Sequence, residues 1–270
     1  MDSTHGEINF MFNPIAHIYN SKLIPGLASF LITATLFGLE SSAQAIVLNG
    51  GFESGDFSGG WIPIGNSSIV TNAYGVTPTE GEFQALITTK SGSVSDTCSQ
   101  FNLVCLERFL DLPSGSLDTL VPEGVVEGSA IKRSLTVRAG ETLSFSWNFL
   151  SNETLFDDDP TTYNDLAFIS IGTVEKIADT FDLVRSSNTR FDTESGYRSF
   201  SYTFTQGGTY LLGIGVLDAE DSNDFFPSGL LVDNVEIQSV PEPMTIWGSL
   251  VALGVGALLK KRHSQDENSD

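Results

Sequence analysis

Apolar residues recur at every second position through the middle of this chain, and that spacing dictates extended strands with one face buried. Ile131, Arg133, Leu135 and Val137 share one face of such a run. Past the turn residues Ala139-Gly140-Glu141, the side chains of Leu143, Phe145, Trp147 and Phe149 alternate with Ser144, Ser146 and Asn148. The two runs read as two antiparallel strands with one buried face. The pattern returns at Phe200, Tyr202 and Phe204, then beyond a Gly207-Gly208 turn over residues 209–217, and again over 166–171 and 230–237. Weaker strands are expected near Ile46, near Ile69 and over 83–88. Helical spacing shows only at 101–112, where Val104, Leu106, Phe109 and Leu110 are placed to cover one end of a sheet. Nineteen phenylalanines and many Gly, Ser, Thr and Asn turn residues fit the same class. The expectation is all-β, an antiparallel β-sandwich of the jelly-roll kind, as a single domain over 46–239.

Two hydrophobic flanks enclose that domain. Residues 23–39 are apolar apart from small or hydroxylated side chains, Lys22 precedes them, and Ala43-Gln44-Ala45 has the small-x-small pattern that signal peptidase cuts. This predicts a signal peptide over 1–45 and a mature chain starting at Ile46. Retention as an uncleaved signal anchor is the alternative, and either Met1 or Met11 serves as the start. At the other end, Val240-Pro241-Glu242-Pro243 precedes an uncharged, mostly apolar span over 244–259, the basic stop Lys260-Lys261-Arg262 and a polar tail over 263–270. As a helix the span reaches about 24 Å, a little short of the ~30 Å hydrocarbon layer, so Trp247 and snorkelling lysines must help it cross. A buried C-terminal helix is the alternative, but an all-round apolar surface with an abrupt basic stop suits a transmembrane segment better. The basic stop should remain cytoplasmic, which puts the domain across the membrane.

The order of motif, span and basic cluster over 240–262 resembles the PEP-CTERM sorting signal, and Val240-Pro241-Glu242-Pro243 matches its short motif residue for residue. The resemblance implies an exosortase-type sorting protease as partner and a transient inner-membrane anchor. It also implies cleavage near the motif and export to the cell surface or an extracellular matrix. In the middle of the chain, Trp147-Asn148-Phe149-Leu150, Tyr163-Asn164-Asp165, Gly213-Ile214-Gly215-Val216-Leu217-Asp218 and residues 228–235 resemble in their order a narrower group of such exported proteins. That likeness implies one continuous domain and no particular chemistry.

Composition removes several functions. With 34 acidic and 13 basic residues the formal net charge is −21, a surface that repels phosphate backbones, so no nucleic acid is expected as a partner. All three histidines, His5, His17 and His263, lie outside 46–239, which takes away Ser-His and Cys-His nucleophiles and ordinary zinc sites. No glycine-rich phosphate loop follows a strand. Two carboxylates alone can cleave a glycosidic bond, yet acid pairs are too common here to single one out, and the chain reads as a non-enzyme. Cys98 and Cys105, the only cysteines, read as a disulfide in an oxidising compartment or as reduced, buried thiols.

Asn49-Gly50-Gly51-Phe52-Glu53 near the start of the domain and Asp233-Asn234-Val235 near its end resemble motifs of galactose-binding-like jelly-roll modules, including carbohydrate-binding modules. In that family the two meet because first and last strands are neighbours, and the early Glu and late Asp hold a structural calcium ion. Carried to this chain, the resemblance nominates Glu53 and Asp233 as Ca2+ ligands. On their own residues, Glu53 as a solvated turn residue and Asp233 in a local hydrogen bond stay equally open. Asp157-Asp158-Asp159 with Asp165, and Asp218, Glu220, Asp221 and Asp224, are either solvated loops or oxygen-rich cation sites bridging to acidic polysaccharide. The functional expectation is a cell-surface or matrix protein, glycan-binding through exposed aromatics such as Trp61 or Tyr74, though core packing suits Trp61 and especially Trp147. The alternative is a calcium-dependent structural or adhesive protein without a sugar site.

Overall fold

Each strongly alternating run becomes a strand, and every strand pair among the described residues is antiparallel. The computed structural model describes residues 47–122, 124–153, 164–219 and 226–239. The described residues all belong to one unit, Gln44–Asp270. The signal-peptide residues Ala43 and Ala45, the motif Val240 to Pro243, the span 244–259 and the basic stop Lys260, Lys261 and Arg262 lie outside the described residues. Among the described residues no helix is long and apolar enough to cross a membrane.

Two sheets form the sandwich. The first runs β1 (Ile62–Ile64), β5 (Val125–Val137), β12 (Gly208–Ala219), β7 (Leu166–Ile171), β8 (Val174–Asp179), with β4 (Val94–Ser95) also on β5. The second runs β2 (Asn66–Thr71), β3 (Phe83–Thr88), β13 (Ser228–Gln238), β6 (Thr142–Ser151), β10 (Thr193–Glu194), β9 (Arg185–Ser186), with β11 (Arg198–Thr203) also on β6. The core between them joins Ile131, Leu135 and Val137 of β5 to Leu143, Phe145, Trp147 and Phe149 of β6, with Leu212, Ile214 and Val216 of β12 and Leu230 and Val232 of β13. Each such side chain contributes about 1.5–3 kcal/mol through burial.

The runs over 131–137 and 143–149 do not lie in one sheet, contrary to the simplest reading of their alternation. β5 belongs to the first sheet and β6 to the second, so residues 138–141 carry the chain across the core. Two adjacent strands of one sheet would leave both apolar faces needing a cover, whereas placing them in opposite sheets lets each cover the other. Residues 204–207 cross between the sheets in the same way, and the two crossings are bonded together. Gly140 N–H donates to the Phe204 carbonyl at 2.7 Å and Phe204 N–H to the Glu141 carbonyl at 2.9 Å. The buried Glu141 carboxylate accepts from Arg138 N–H at 2.9 Å and closes the turn.

The helix expected over 101–112 is one turn long, α1 (Leu106–Phe109). Cys98 and Cys105 are bonded to each other, and Cys105 is extended immediately before the helix, so the chain over 98–105 closes into a loop instead. Leu106 and Leu110 do cover the outer face of the first sheet, with Leu117 and Val121, against Ala130, Leu166, Phe168 and Leu217. Leu110 packs close over Gly213, where a Cβ would meet Ser170 Oγ and, at 2.5 Å, a Leu110 methyl. Val104, expected in the same cover, is 58 % exposed.

Candidate functional site

The early and late motifs meet. Val235 N–H donates to the Gly50 carbonyl at 3.0 Å, next to a register break between Asp233 and Glu236 on β13. Phe52 is fully buried beneath the early segment, with its ring 5.3 Å from that of Trp61. Asn49 organises the rest of the loop from its side chain: its Nδ2 donates to the Asp56 and Ser58 carbonyls at 3.0 and 3.2 Å, and its Oδ1 accepts from Ser54 N–H at 3.0 Å. The Asp56 carboxylate accepts from Ser54 Oγ and Ser58 N–H. Hydrogen bonds from Ser58 and Ser54 hold that carboxyl below its ordinary range.

Glu53 and Asp233 converge on one loop, residues 79–83, from its two ends. The Glu53 carboxylate accepts from Glu82 N–H at 3.0 Å and Phe83 N–H at 3.1 Å. Asp233 is fully buried. Its Oδ2 accepts from Thr79 N–H at 2.6 Å, Thr79 Oγ1 at 2.8 Å and Glu80 N–H at 2.9 Å, and its Oδ1 accepts from Asn234 N–H at 2.7 Å. Burial raises the Asp233 carboxyl above its ordinary value, and the Glu80 N–H pulls it partly back. Hydrogens carrying positive charge are aimed at both carboxylates, where a shared cation would need lone pairs. No group of three or more His, Cys, Asp or Glu among the described residues is placed to hold a metal ion. The donors make Glu53 and Asp233 a clamp on residues 79–83. Of the acidic loops, Asp157 to Asp159, Glu220, Asp221 and Asp224 lie outside the described residues. Asp165 is buried, and its Oδ1 accepts from Ala219 N–H at 3.1 Å.

Core packing, the reading preferred for Trp61 and Trp147, is what the structure shows, and Tyr74 is half-buried. Trp61 is 4 % exposed and Trp147 5 %, and both belong to the central core. Tyr74 packs with Leu86, Leu150, Phe191 and Leu231 on the outer face of the second sheet, and burial pushes its phenol up to about 12. The reason is local: one aromatic beside a glycine-rich turn looks the same in sequence whether its ring turns in or out.

The structure instead exposes Phe101, 99 % accessible, on the loop closed by the Cys98–Cys105 disulfide. Ser99 Oγ accepts from Phe101 N–H at 3.3 Å and Asn102 N–H at 3.0 Å, Ser99 N–H donates to the Asn102 carbonyl at 3.0 Å, and Asn102 Oδ1 accepts from Val104 N–H at 3.1 Å. Side-chain and backbone turns therefore fix the loop from within, beyond its covalent closure. Between the cysteines stand Ser99, Gln100, Phe101, Asn102, Leu103 and Val104, without a charge. An aromatic face flanked by carboxamides can lie on the C–H face of a sugar ring while amides meet hydroxyls. The missed signal was the uncharged hexapeptide between two cysteines, masked by helical spacing running through it.

The other buried polar groups build scaffold. Glu194 accepts from Asn148 Nδ2 at 3.1 Å and pairs with Arg185 Nε at 2.6 Å, while Ser195 Oγ accepts from Phe149 N–H at 3.0 Å. The Tyr197 hydroxyl donates to Gln84 Oε1, tying the loop before β11 onto β3.

No family profile matches this chain, and no curated relative matches it. Similar solved structures include TmCBM61 in complex with beta-1,4-galactotriose, at 11 % identity over 73 % of this chain and 100 % of that one, with a TM-score of 0.38. A Family 16 Carbohydrate Binding Module-2 matches at 13 % identity over 72 % and 99 %, TM-score 0.32. The K1 cleaved adhesin domain of Lys-gingipain from Porphyromonas gingivalis W83 matches at 12 % identity over 71 % and 96 %, TM-score 0.33. At this level the likeness carries no argument, and no ligand or site residue carries over from it.

Proposed function

We propose that the protein is an exported, non-enzymatic β-sandwich that binds extracellular polysaccharide through Phe101 on its disulfide-closed loop. In this reading signal peptidase cuts after Ala45, and an exosortase-type protease acts near Val240-Pro241-Glu242-Pro243 after transient anchoring in the inner membrane. The product works at the cell surface or in the matrix. A disulfide at Cys98 and Cys105 suits that oxidising destination. The observation that carries the binding role is a phenylalanine 99 % exposed on a pre-organised, uncharged loop. A ring left in water gains nothing for the fold, whereas a rigid one loses little entropy when a ligand covers it.

The test is retention of the full chain on a panel of immobilised polysaccharides, with Phe101→Ala as comparison. At least one polysaccharide should retain the parent chain, and the substitution should weaken that retention about tenfold, roughly 1.4 kcal/mol. Failure to bind any member of the panel, or equal retention of the variant, overturns the reading. Turnover of a polysaccharide by the parent chain would overturn its non-enzymatic part.

A further inference from the structure

Among the described residues, one buried cation of the sandwich has no counter-charge. Arg133 lies on β5 between Ile131 and Leu135, 7 % exposed, in a chain with a large surplus of carboxylates. Three ion pairs join charged groups among the described residues, Lys176 with Asp179, Arg185 with Glu194 and Arg198 with Asp182, and Arg133 is in none of them. Its Nη1 donates to the Leu48 carbonyl at 2.8 Å, and its guanidinium stands 5.1 Å from the Trp61 ring. Its Nε is buried without a hydrogen-bond partner. Burial alone lowers its pKa, yet a guanidinium keeps its charge in a protein. An uncompensated buried charge is costly, and a cation–π contact offsets only part of that cost.

The edge of the guanidinium matters. Nη1 is taken by the Leu48 carbonyl, so the remaining edge is Nε with Nη2, the two parallel N–H groups that a carboxylate accepts in bidentate fashion. Nη2 lies beside Gly60, where even an added Cβ would stand 3.7 Å from it. Gly60 is exposed and has φ +98°, a backbone conformation that a side chain would strain. The preceding Gly59 packs over the same Leu48 carbonyl, where a Cβ would clash at 2.6 Å. Nη2 is the one atom within 4 Å of where a Gly60 Cβ would stand, so the exposed turn over 59–60 lies beside one end of that edge.

We propose that Arg133 is an anion-recognition residue whose Nε and Nη2 edge takes a carboxylate entering past Gly60, supplied by a uronic-acid sugar or by a free small carboxylate. The site goes beyond the Phe101 reading and does not depend on it. Overall negative charge repels such a ligand at long range, but at contact a desolvated guanidinium dominates the local field.

The experiment follows the ¹⁵Nε–¹H resonance of Arg133 in the purified full chain, identified by its nuclear Overhauser contacts to the Trp61 indole. The chain is titrated with sodium galacturonate, sodium acetate, galactose and sodium chloride at matched ionic strength. The resonance should shift saturably with galacturonate and stay put with galactose and chloride. An equal response to acetate identifies the carboxylate alone as the ligand, and a weaker one shows that the sugar ring contributes; either supports the site. No response to either carboxylate, or the same response to chloride, overturns it. Arg133→Lys keeps the charge but loses the fork and should weaken galacturonate about tenfold or more. Should that variant fail to fold, the titration of the parent chain still decides. Phe101→Ala should leave the Arg133 response unchanged, so the failure of one proposal is separable from the failure of the other.

Discussion

The loop over 48–61 and the loop over 98–105 are organised in opposite ways. The first is tied by side-chain hydrogen bonds from Asn49 and Asp56 and sends Phe52 and Trp61 into the core. The second is closed by a covalent bond and turns Phe101, Leu103 and Val104 outward. A loop that buries its aromatics is held by the fold and helps to hold it. A loop held by its own disulfide is released from that duty, and its apolar side chains are free to meet something else.

The contrast breaks if the first loop proves dispensable. Phe52→Ala should cost about 3–5 kcal/mol, the price of an unfilled aromatic site, read as a large drop in the urea midpoint. Asp233→Ala strips the clamp from Thr79 and Glu80, leaving two backbone N–H groups without their acceptor. The loss should be about 2 kcal/mol in the same assay, and calcium up to about 1 mM should not move the parent's thermal midpoint, since donors already occupy the carboxylate. Replacing Cys98 and Cys105 together by serine should remove about 2 kcal/mol of loop-closure stabilisation and loosen only the second loop, seen as faster amide exchange confined to 98–105.

A pH series sharpens the comparison through two buried carboxyls, one beside each loop. Asp96 is raised by burial, with the charges of Asp118 and Glu107 adding to the effect and Thr97 N–H opposing it; Asp233 is raised by burial too. A folded-state pKa above the ordinary 3.8 means that the folded chain holds its proton more tightly than the unfolded one. The stabilisation is complete below pH 3.8 and is lost as pH rises through the folded-state pKa. The thermal midpoint should therefore fall as pH climbs above about 4, and Asp96→Asn should flatten part of that slope while raising the midpoint at neutral pH. The smallest effect on stability belongs to Phe101→Ala, within about 0.5 kcal/mol, even though polysaccharide retention should weaken about tenfold. A large stability cost there would show that the ring does belong to the fold.

Much of the architecture was legible in local spacing. Period-two alternation located β5, β6, β7, β11, β12 and β13 because a strand's two faces are set by neighbours along the chain. It could not say that β5 and β6 lie in opposite sheets, since partner choice depends on which apolar face lacks a cover. The short strands β1, β4, β9 and β10 carry too few residues to show a period, and the six residues of β8, Val-Glu-Lys-Ile-Ala-Asp, do not alternate. Glu53 and Asp233 were recognisable as residues that act together, because the two ends of the domain do meet. That their oxygens would be filled by the backbone of residues 79–83 was not, as no pattern in the sequence marks that loop as their common partner.

The amino-acid sequence by itself determined the all-β class, the strands with strong alternation, the absence of histidine from the domain and its acidic surface. These follow from residue type and near-neighbour spacing. Only the tertiary structure decided that Trp61 goes in and Phe101 stays out, and that Arg133 sits in the sandwich with no acid among the described residues to meet it. Solvent exposure and charge pairing are properties of what lies across space from a side chain, and residues 48 and 133 become neighbours only once the sheets have closed.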